Sequence, residues 1–419
     1  VTGRRTTALR AIAVGAVLTL GGALLAGCSP DGRETIRFAF SKREAIGFMT
    51  DLVHKYNASQ NKVTVVLDTS NTFAAGFVRG NPPDIALNNY NMETARFVQR
   101  CALSDLSGTA AAKEVKPSLT PFMDQYGRCA GRTSALPYSV MASGVIYNKQ
   151  LFQKYGVTVP RTWDQLLAAC KTFQAAGVTP IYATFADPWT VGQGWYDYSV
   201  GGMLDTVAFF KALNAEGVDV GPTSAVSFQK DQAAPVDKMI RLAAYVNKDA
   251  ASRAYGDGNT AMAEGKAAMY LQGPWAFGEI AKAAPKLALG TFPLPVTNDP
   301  ADLKVRINMD LAAWIPEASP HKDAARAFLA YLYQPKVINA YNASQLGFDP
   351  TIGAAPPTDP RILGLKPYVD DDKVYQGSSV LVPQAIPIFN YTQAMILGSA
   401  PDQVLRTIDA DFARLAFRQ

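Results

Sequence analysis

Histidine is nearly absent: His54 and His321 are the only two in 419 residues. There is also no Gly-x-Ser-x-Gly elbow and no His-Glu-x-x-His motif, so the familiar serine-hydrolase and zinc-protease arrangements lack their parts. His54 falls in an amphipathic helical pattern and His321 follows Ser319-Pro320 at a helix start, positions that suit a surface residue and a cap. Cysteine is scarce, with four in the chain, and no CxxC pair or cysteine–histidine cluster suggests zinc. No calcium loop is present, so no metal and no cofactor is expected. Past the first thirty or so residues no apolar stretch approaches transmembrane length without charges. No block of lysine and arginine remains there either, which makes nucleic acid a poor partner. Carboxylates are plentiful, yet no local pattern singles out an opposed pair of the kind that cleaves glycosides.

What is present begins with an export signal. Arg4, Arg5 and Arg10 form a basic region, and an apolar run follows from Ala11 to Ala26. Small residues then lead into Leu25-Ala26-Gly27-Cys28. That order is the pattern of a secretory signal peptide, and the apolar run is shorter than the roughly 20 residues that span a bilayer. The cysteine after the small residues resembles a bacterial lipobox, which implies cleavage before Cys28, lipidation of Cys28 and a short linker over 28–32. The body would then be soluble, extracytoplasmic, and held to the cell membrane by its N-terminal lipid only. At about 390 residues it exceeds what one core usually supports, so two lobes are expected.

The body alternates strand-like and helix-like segments. Thr35–Phe40, Lys62–Asp68 and Asp84–Leu87 read as strands, separated by helices over 47–56 and 72–79, with another over 92–100. This order argues for an α/β sheet. Val145-Ile-Tyr-Asn is a further strand, with Asn148 capping a short helix. Thr162 and Gln165 form a capping-box signature for a helix that ends near Gly177. Residues 189–205 turn aromatic and glycine-rich. Helices are expected over 235–246, from Trp275 to about 282, over 323–333 and over 402–417. Strands are expected over 181–184, 287–293 and 311–316. Outside the cytoplasm Cys101 and Cys129 can form a disulfide, which would add roughly 3–4 kcal/mol; two separate thiols are the alternative. Cys170 reads as a small buried hydrophobe.

The segments Val145-Ile-Tyr-Asn-Lys-Gln-Leu-Phe-Gln-Lys-Tyr-Gly, Pro160-Arg-Thr-Trp-Asp-Gln-Leu-Leu, Gly265-Lys-Ala-Ala-Met-Tyr-Leu-Gln-Gly-Pro-Trp-Ala and Leu311-Ala-Ala-Trp-Ile-Pro-Glu-Ala-Ser-Pro-His-Lys-Asp-Ala-Ala resemble bacterial extracellular solute-binding proteins of the maltose-binding type. The likeness implies a two-lobed α/β fold of the periplasmic-binding-protein kind, with an interlobe cleft and a hinge. The first lobe would comprise residues 33–139 and 309–345, the second 140–308 and 346–419. It also implies a monomeric, non-catalytic receptor that closes on a carbohydrate, a di- or oligosaccharide, and presents it to the permease subunits of an ABC transporter. A glycoside-active surface lipoprotein and a sugar sensor without transport are the rival readings.

A sugar ring has an apolar face and a hydroxyl rim, so its site needs aromatic platforms and polar edges. Trp275 matches the tryptophan of the family's Gly-Pro-Trp motif, which stacks on sugar in relatives; a core anchor is the alternative. Phe389 and Asn390 lie where relatives carry another platform. Trp189, Trp195 and Tyr196 come from the glycine-rich segment, with packing as the competing role. The first lobe would supply Arg43 and Glu44 after the first strand and Asn88, Asn89 and Tyr90 after the third. Tyr138 and Asp310 sit near the proposed crossings between lobes. Lys42 and Arg306 are further cations that could meet a phosphate. Asp84 reads as structural.

Overall fold

The computed structural model describes residues 32–70 and 72–416. The signal-like segment, Cys28 and most of the linker lie outside these residues. Nine strands form the framework: β1 (Glu34–Ala39), β2 (Val63–Asp68), β3 (Ile85–Asn88), β4 (Leu136–Asn148), β5 (Thr179–Tyr182), β6 (Ala267–Gln272), β7 (Leu289–Phe292), β8 (Val305–Trp314) and β9 (Val374–Gln376). Their order is β2-β1-β3-β8-β4-β6-β5, with β7 on β4 and β9 on β8. β1 pairs in parallel with β2 and β3, as expected where helices cross over between strands.

Two long strands join the lobes. β8 pairs with β9 through Val305–Ile307 at one end and with β3 through residues 312–314 at the other. β4 runs antiparallel to it from Leu136 to Ser143, then continues between β6 and β7. Both strands are longer than the sequence pattern suggested. They are buried on both faces, so they show no alternation of apolar and polar residues to mark their extent. Register shifts at Pro137 and Ser139 accommodate a proline that cannot donate to the ladder.

One apolar core gathers residues between 36 and 138 with residues between 311 and 341. The helix Ile46–Ser59 buries Met49, Leu52, Val53 and Tyr56 into it, a helical spacing. Phe328 packs edge-on against Phe38 and Tyr56 with ring centroids 5.0 and 4.8 Å apart. A larger core occupies the second lobe and continues onto the other face of the first-lobe sheet through Ala86, Tyr90 and Val98.

The helix caps follow the sequence closely. Asn148 accepts the amides of Gln150 and Leu151 at 3.0 and 3.1 Å. Thr162 accepts the amide of Gln165 at 3.2 Å, and the Gln165 side chain reaches back to the amide of Arg161 rather than that of Thr162. The helix expected over 235–246 instead spans Phe228–Leu242, with Pro235 inside it. It starts early because Ser227 caps it, its hydroxyl accepting the Lys230 amide at 3.1 Å, and Asp409, from the last helix (Pro401–Leu415), accepts the amides of Phe228 at 2.7 Å and Gln229 at 3.2 Å. Cys101 and Cys129 are joined by a disulfide. Cys170 is buried, and burial pushes its thiol up to about 12. Among the described residues no helix is long and apolar enough to cross a membrane.

Candidate functional site

The ends of two first-lobe strands meet the middle of β8 at a polar wall. β1 runs into Ser41, Lys42 and the turn Arg43–Ala45, while β3 ends at Asn88. Lys42 extends its ammonium to Asp310, with Nζ 2.5 Å from Oδ2 and both side chains nearly buried. Asn89 donates to the Asp310 carbonyl at 2.8 Å and to its Oδ1 at 3.3 Å. Ser41 donates its amide and hydroxyl to Asn88 Oδ1 at 3.1 and 3.2 Å. Arg43 and Glu44 are exposed, with Glu44 3.7 Å from Lys42 Nζ.

The second lobe supplies aromatic rings. Trp275 opens the helix Trp275–Ala283 directly after β6, half-exposed, and its indole N–H donates to Gln272 Oε1 at 3.1 Å. Gly273 and Gly192 leave room for rings: a Cβ at either would lie 2.2 Å from the ring of Trp275 or Phe389, respectively. Phe389 is half-buried, and Asn390 is exposed beside it on the helix Ile388–Ile396. Trp189 tilts against Tyr255 with centroids 5.1 Å apart. Burial, with the carboxylates of Glu279 and Glu44, pushes the Tyr255 hydroxyl up to about 12.

Four expected cleft residues belong instead to the interior. Trp195 is buried edge-on against Phe185, 5.2 Å away. Tyr196 is buried and donates a short hydrogen bond to Gln232. Tyr138 sits in the first-lobe core between Tyr333 and Tyr341, at 5.5 and 5.3 Å. Tyr90 is buried against Tyr126 at 5.0 Å. All four rings are packed into the interior rather than exposed beside the polar wall, which corrects the sequence-based expectation. Asn88 is also buried, with its carbonyl oxygen taken by Ser41.

Arg306, considered for phosphate, is wholly buried and binds Asp197 Oδ2 through Nε at 2.9 Å. Asp84 is structural: it accepts from the Arg37 amide and the Ser319 hydroxyl at 2.8 and 2.7 Å. His54 is exposed, and His321 Nδ1 meets Glu34 Oε1 at 2.7 Å. Sequence reasoning missed Tyr255, Gln272 and the pairing of Lys42 with Asp310. Only the lysine and the aspartate were visible in the sequence, separated by more than 260 positions with nothing to connect them. A cavity of about 660 Å³ opens elsewhere on the first lobe, between Lys113, Leu119, Met123 and the Cys129 loop. Of the expected ligand-binding residues only Tyr90 borders it.

The family profile described as bacterial extracellular solute-binding protein matches residues 41–338, which takes in the polar wall, Trp189, Tyr255, Trp275 and both crossing strands but not Phe389. The chain belongs to this family. Among individual relatives, the multiple sugar-binding protein of Streptococcus mutans is 23% identical over 343 residues, covering 78% of this chain and 79% of its own. A probable sugar-binding periplasmic protein of Brucella melitensis is 28% identical over 215 residues, and the match spans 49% of this chain and 47% of that protein. In fold, the chain is similar to RafE of Streptococcus pneumoniae in its ligand-free form, with a TM-score of 0.78 and 21% identity over 91% of this chain and 97% of the other. It is also similar to RafE in complex with raffinose, with a TM-score of 0.74, 21% identity and coverage of 91% and 99%. The family is one of extracytoplasmic binding proteins, and among the described residues no group of three or more His, Cys, Asp or Glu is placed to hold a metal.

Proposed function

We propose that this solute-binding protein is a cell-surface carbohydrate receptor. It takes a di- or oligosaccharide into the cleft between lobes 33–139/309–345 and 140–308/346–419 and delivers it to ABC permease subunits. It works as a monomer without turning the sugar over, and acylated Cys28 tethers it to the membrane. The observation that supports the reading is the presence, in a solute-binding protein, of two unlike surfaces. Trp189, Tyr255, Trp275 and Phe389 offer partly exposed rings, while Lys42, Glu44, Asn89 and Asp310 offer charged and amide groups. Rings suit the C–H face of a pyranose, and charge-assisted hydrogen bonds suit its hydroxyls. Arg43 and Asn390 stand at the exposed edge and are assigned to the rim of the same site.

Calorimetric titration of the purified chain with mono-, di- and trisaccharides tests this. A saturable heat with one sugar, lost in Trp275→Ala, is expected, with the sugar recovered intact by chromatography. Silence across the panel from folded protein overturns the carbohydrate reading. Cleaved sugar overturns the non-catalytic one.

A further inference from the structure

Beside the polar wall, a recess of about 90 Å³ runs between the first-lobe sheet and the short helix Phe73–Val78. Ser41, Asn88, Asp68 and Thr72 border it at the strand ends, and Arg37, Arg79 and Asn81 border it further in. Ala39, Phe73 and Gly76 supply its apolar sides. It is a small recess, with room for a few water molecules or one short substituent.

Its hydrogen-bonding capacity is mixed and partly unused. Asn88 is 4% exposed, and its Nδ2 has no partner, because only its oxygen is engaged by Ser41. Arg37 Nε is likewise buried and unpartnered, its Nη2 being spent on the Asn81 carbonyl at 2.7 Å. Asp68 Oδ1 takes the Ser70 amide and hydroxyl at 3.0 and 2.6 Å, while Oδ2 lies 3.9 Å from Arg37 Nε, beyond hydrogen-bond range. Partial burial raises the Asp68 carboxyl, but the Ser70 hydrogen bonds and the Arg37 charge outweigh it and hold Asp68 below its usual range, so it stays an acceptor. An entering carboxylate would meet Asp68, and an entering ammonium would meet two guanidinium groups. A hydroxyl both donates and accepts, so it can donate to Asp68 Oδ2 while accepting from an unpaired N–H of the recess. Buried polar groups of this kind discriminate strongly against a ligand that leaves them unpaired.

We propose that this recess is a specificity subsite for the exocyclic hydroxymethyl group of a neutral hexose at one end of the bound sugar, its CH₂ against Ala39 and Phe73 and its hydroxyl between Asp68 and Asn88. The assignment rests on the carbohydrate-receptor reading.

The test compares sugar pairs that differ at this group: D-glucose with D-xylose, D-galactose with D-fucose, and cellobiose with xylobiose. They are titrated into the full chain and into Asp68→Asn and Ala39→Val, with thermal melts to confirm folding. The hydroxymethyl sugar should bind roughly tenfold or more tightly than its partner. Both variants should collapse that ratio by weakening only the hydroxymethyl sugar. If Asp68→Asn fails to fold, the wild-type ratio and Ala39→Val decide. Equal affinity within every bound pair, or a ratio that survives both variants, overturns the subsite, marks the recess as a hydrated structural cavity, and leaves the receptor reading standing. If no sugar of any pair binds to folded protein, the receptor reading fails and the subsite with it.

Discussion

A Cβ on Gly377 would lie 2.0 Å from Asp197 Oδ2 and 2.7 Å from Arg306 Nε. The buried ion pair that links β8 to the helix Asp197–Met203 therefore depends on a residue with no side chain. Ser379 completes the carboxylate with its amide and hydroxyl, both at 2.7 Å, while Arg306 Nη1 and Nη2 are buried without a protein partner. Gly377→Ala should push the pair apart and lower stability by about 3–5 kcal/mol, as when a buried pair loses one member. A urea midpoint close to wild type would show that the segment moves aside freely.

Trp275 and Trp195 should separate in their effects. Trp275→Ala removes a partly exposed ring and should abolish sugar binding with a small change in melting temperature. Trp195→Ala empties a core position and should cost about 3–5 kcal/mol of stability. Paired titrations and denaturant melts read both. Intact binding in Trp275→Ala would demote that ring to packing.

Lys42→Met leaves the Asp310 carboxylate largely buried with only Asn89 as a nearby donor. A loss of roughly 3 kcal/mol is expected, and Lys42→Met combined with Asp310→Asn should recover part of it. If the double variant loses as much as the two single losses added together, the groups are energetically independent.

Asp105 offers a pH test. The amides of Ser107 and Thr133, each at 3.0 Å, and the Ser107 hydroxyl at 2.8 Å hold its carboxyl below the usual range. A depressed folded-state value contributes stability above the unfolded carboxylate value near 3.9 and loses it as pH falls through the lower folded value. The stability gap between wild type and Asp105→Asn should therefore stay constant from neutral pH to about pH 5 and close only in more acid solution. A gap that closes above that point would assign the effect to another group.

Much of the fold was readable because local chemistry agreed with it. The β1–β3 alternation, the Asn148 cap and the helix Lys322–Leu332 lie within a residue or two of their expected positions. The glycine-rich stretch from 189 was not readable as helix, since glycine costs about 1 kcal/mol at each helical position. It is helical over 188–203 nonetheless. Gly201 and Gly202 let it press against Tyr375 and Val296, where a Cβ would come within 1.9 and 2.5 Å. Those partners are distant in sequence, so no window contains the reason. At the candidate site, the Gly-Pro-Trp motif announced the helix that Trp275 opens, whereas tertiary packing decided which aromatic residues turned inward, and no local pattern showed that.

Residues Val191–Tyr196 form a π-helical stretch between two α-helical ones. Such a stretch holds more residues per turn than its flanks, and here it lets the neighbours Trp195 and Tyr196 both point into the interior. Such a wide turn stores one extra residue, so shortening it by one would restore a regular α-helix and leave everything downstream close to its present orientation. Asp197 would still face Arg306, and Tyr198 would still face the carbonyls of Gly144 and Gln272 that its hydroxyl now meets at 3.3 and 3.2 Å. A single-codon deletion should therefore be absorbed far better inside 191–196 than in the α-helical turns after it, where each lost residue turns the rest of the helix by about 100°.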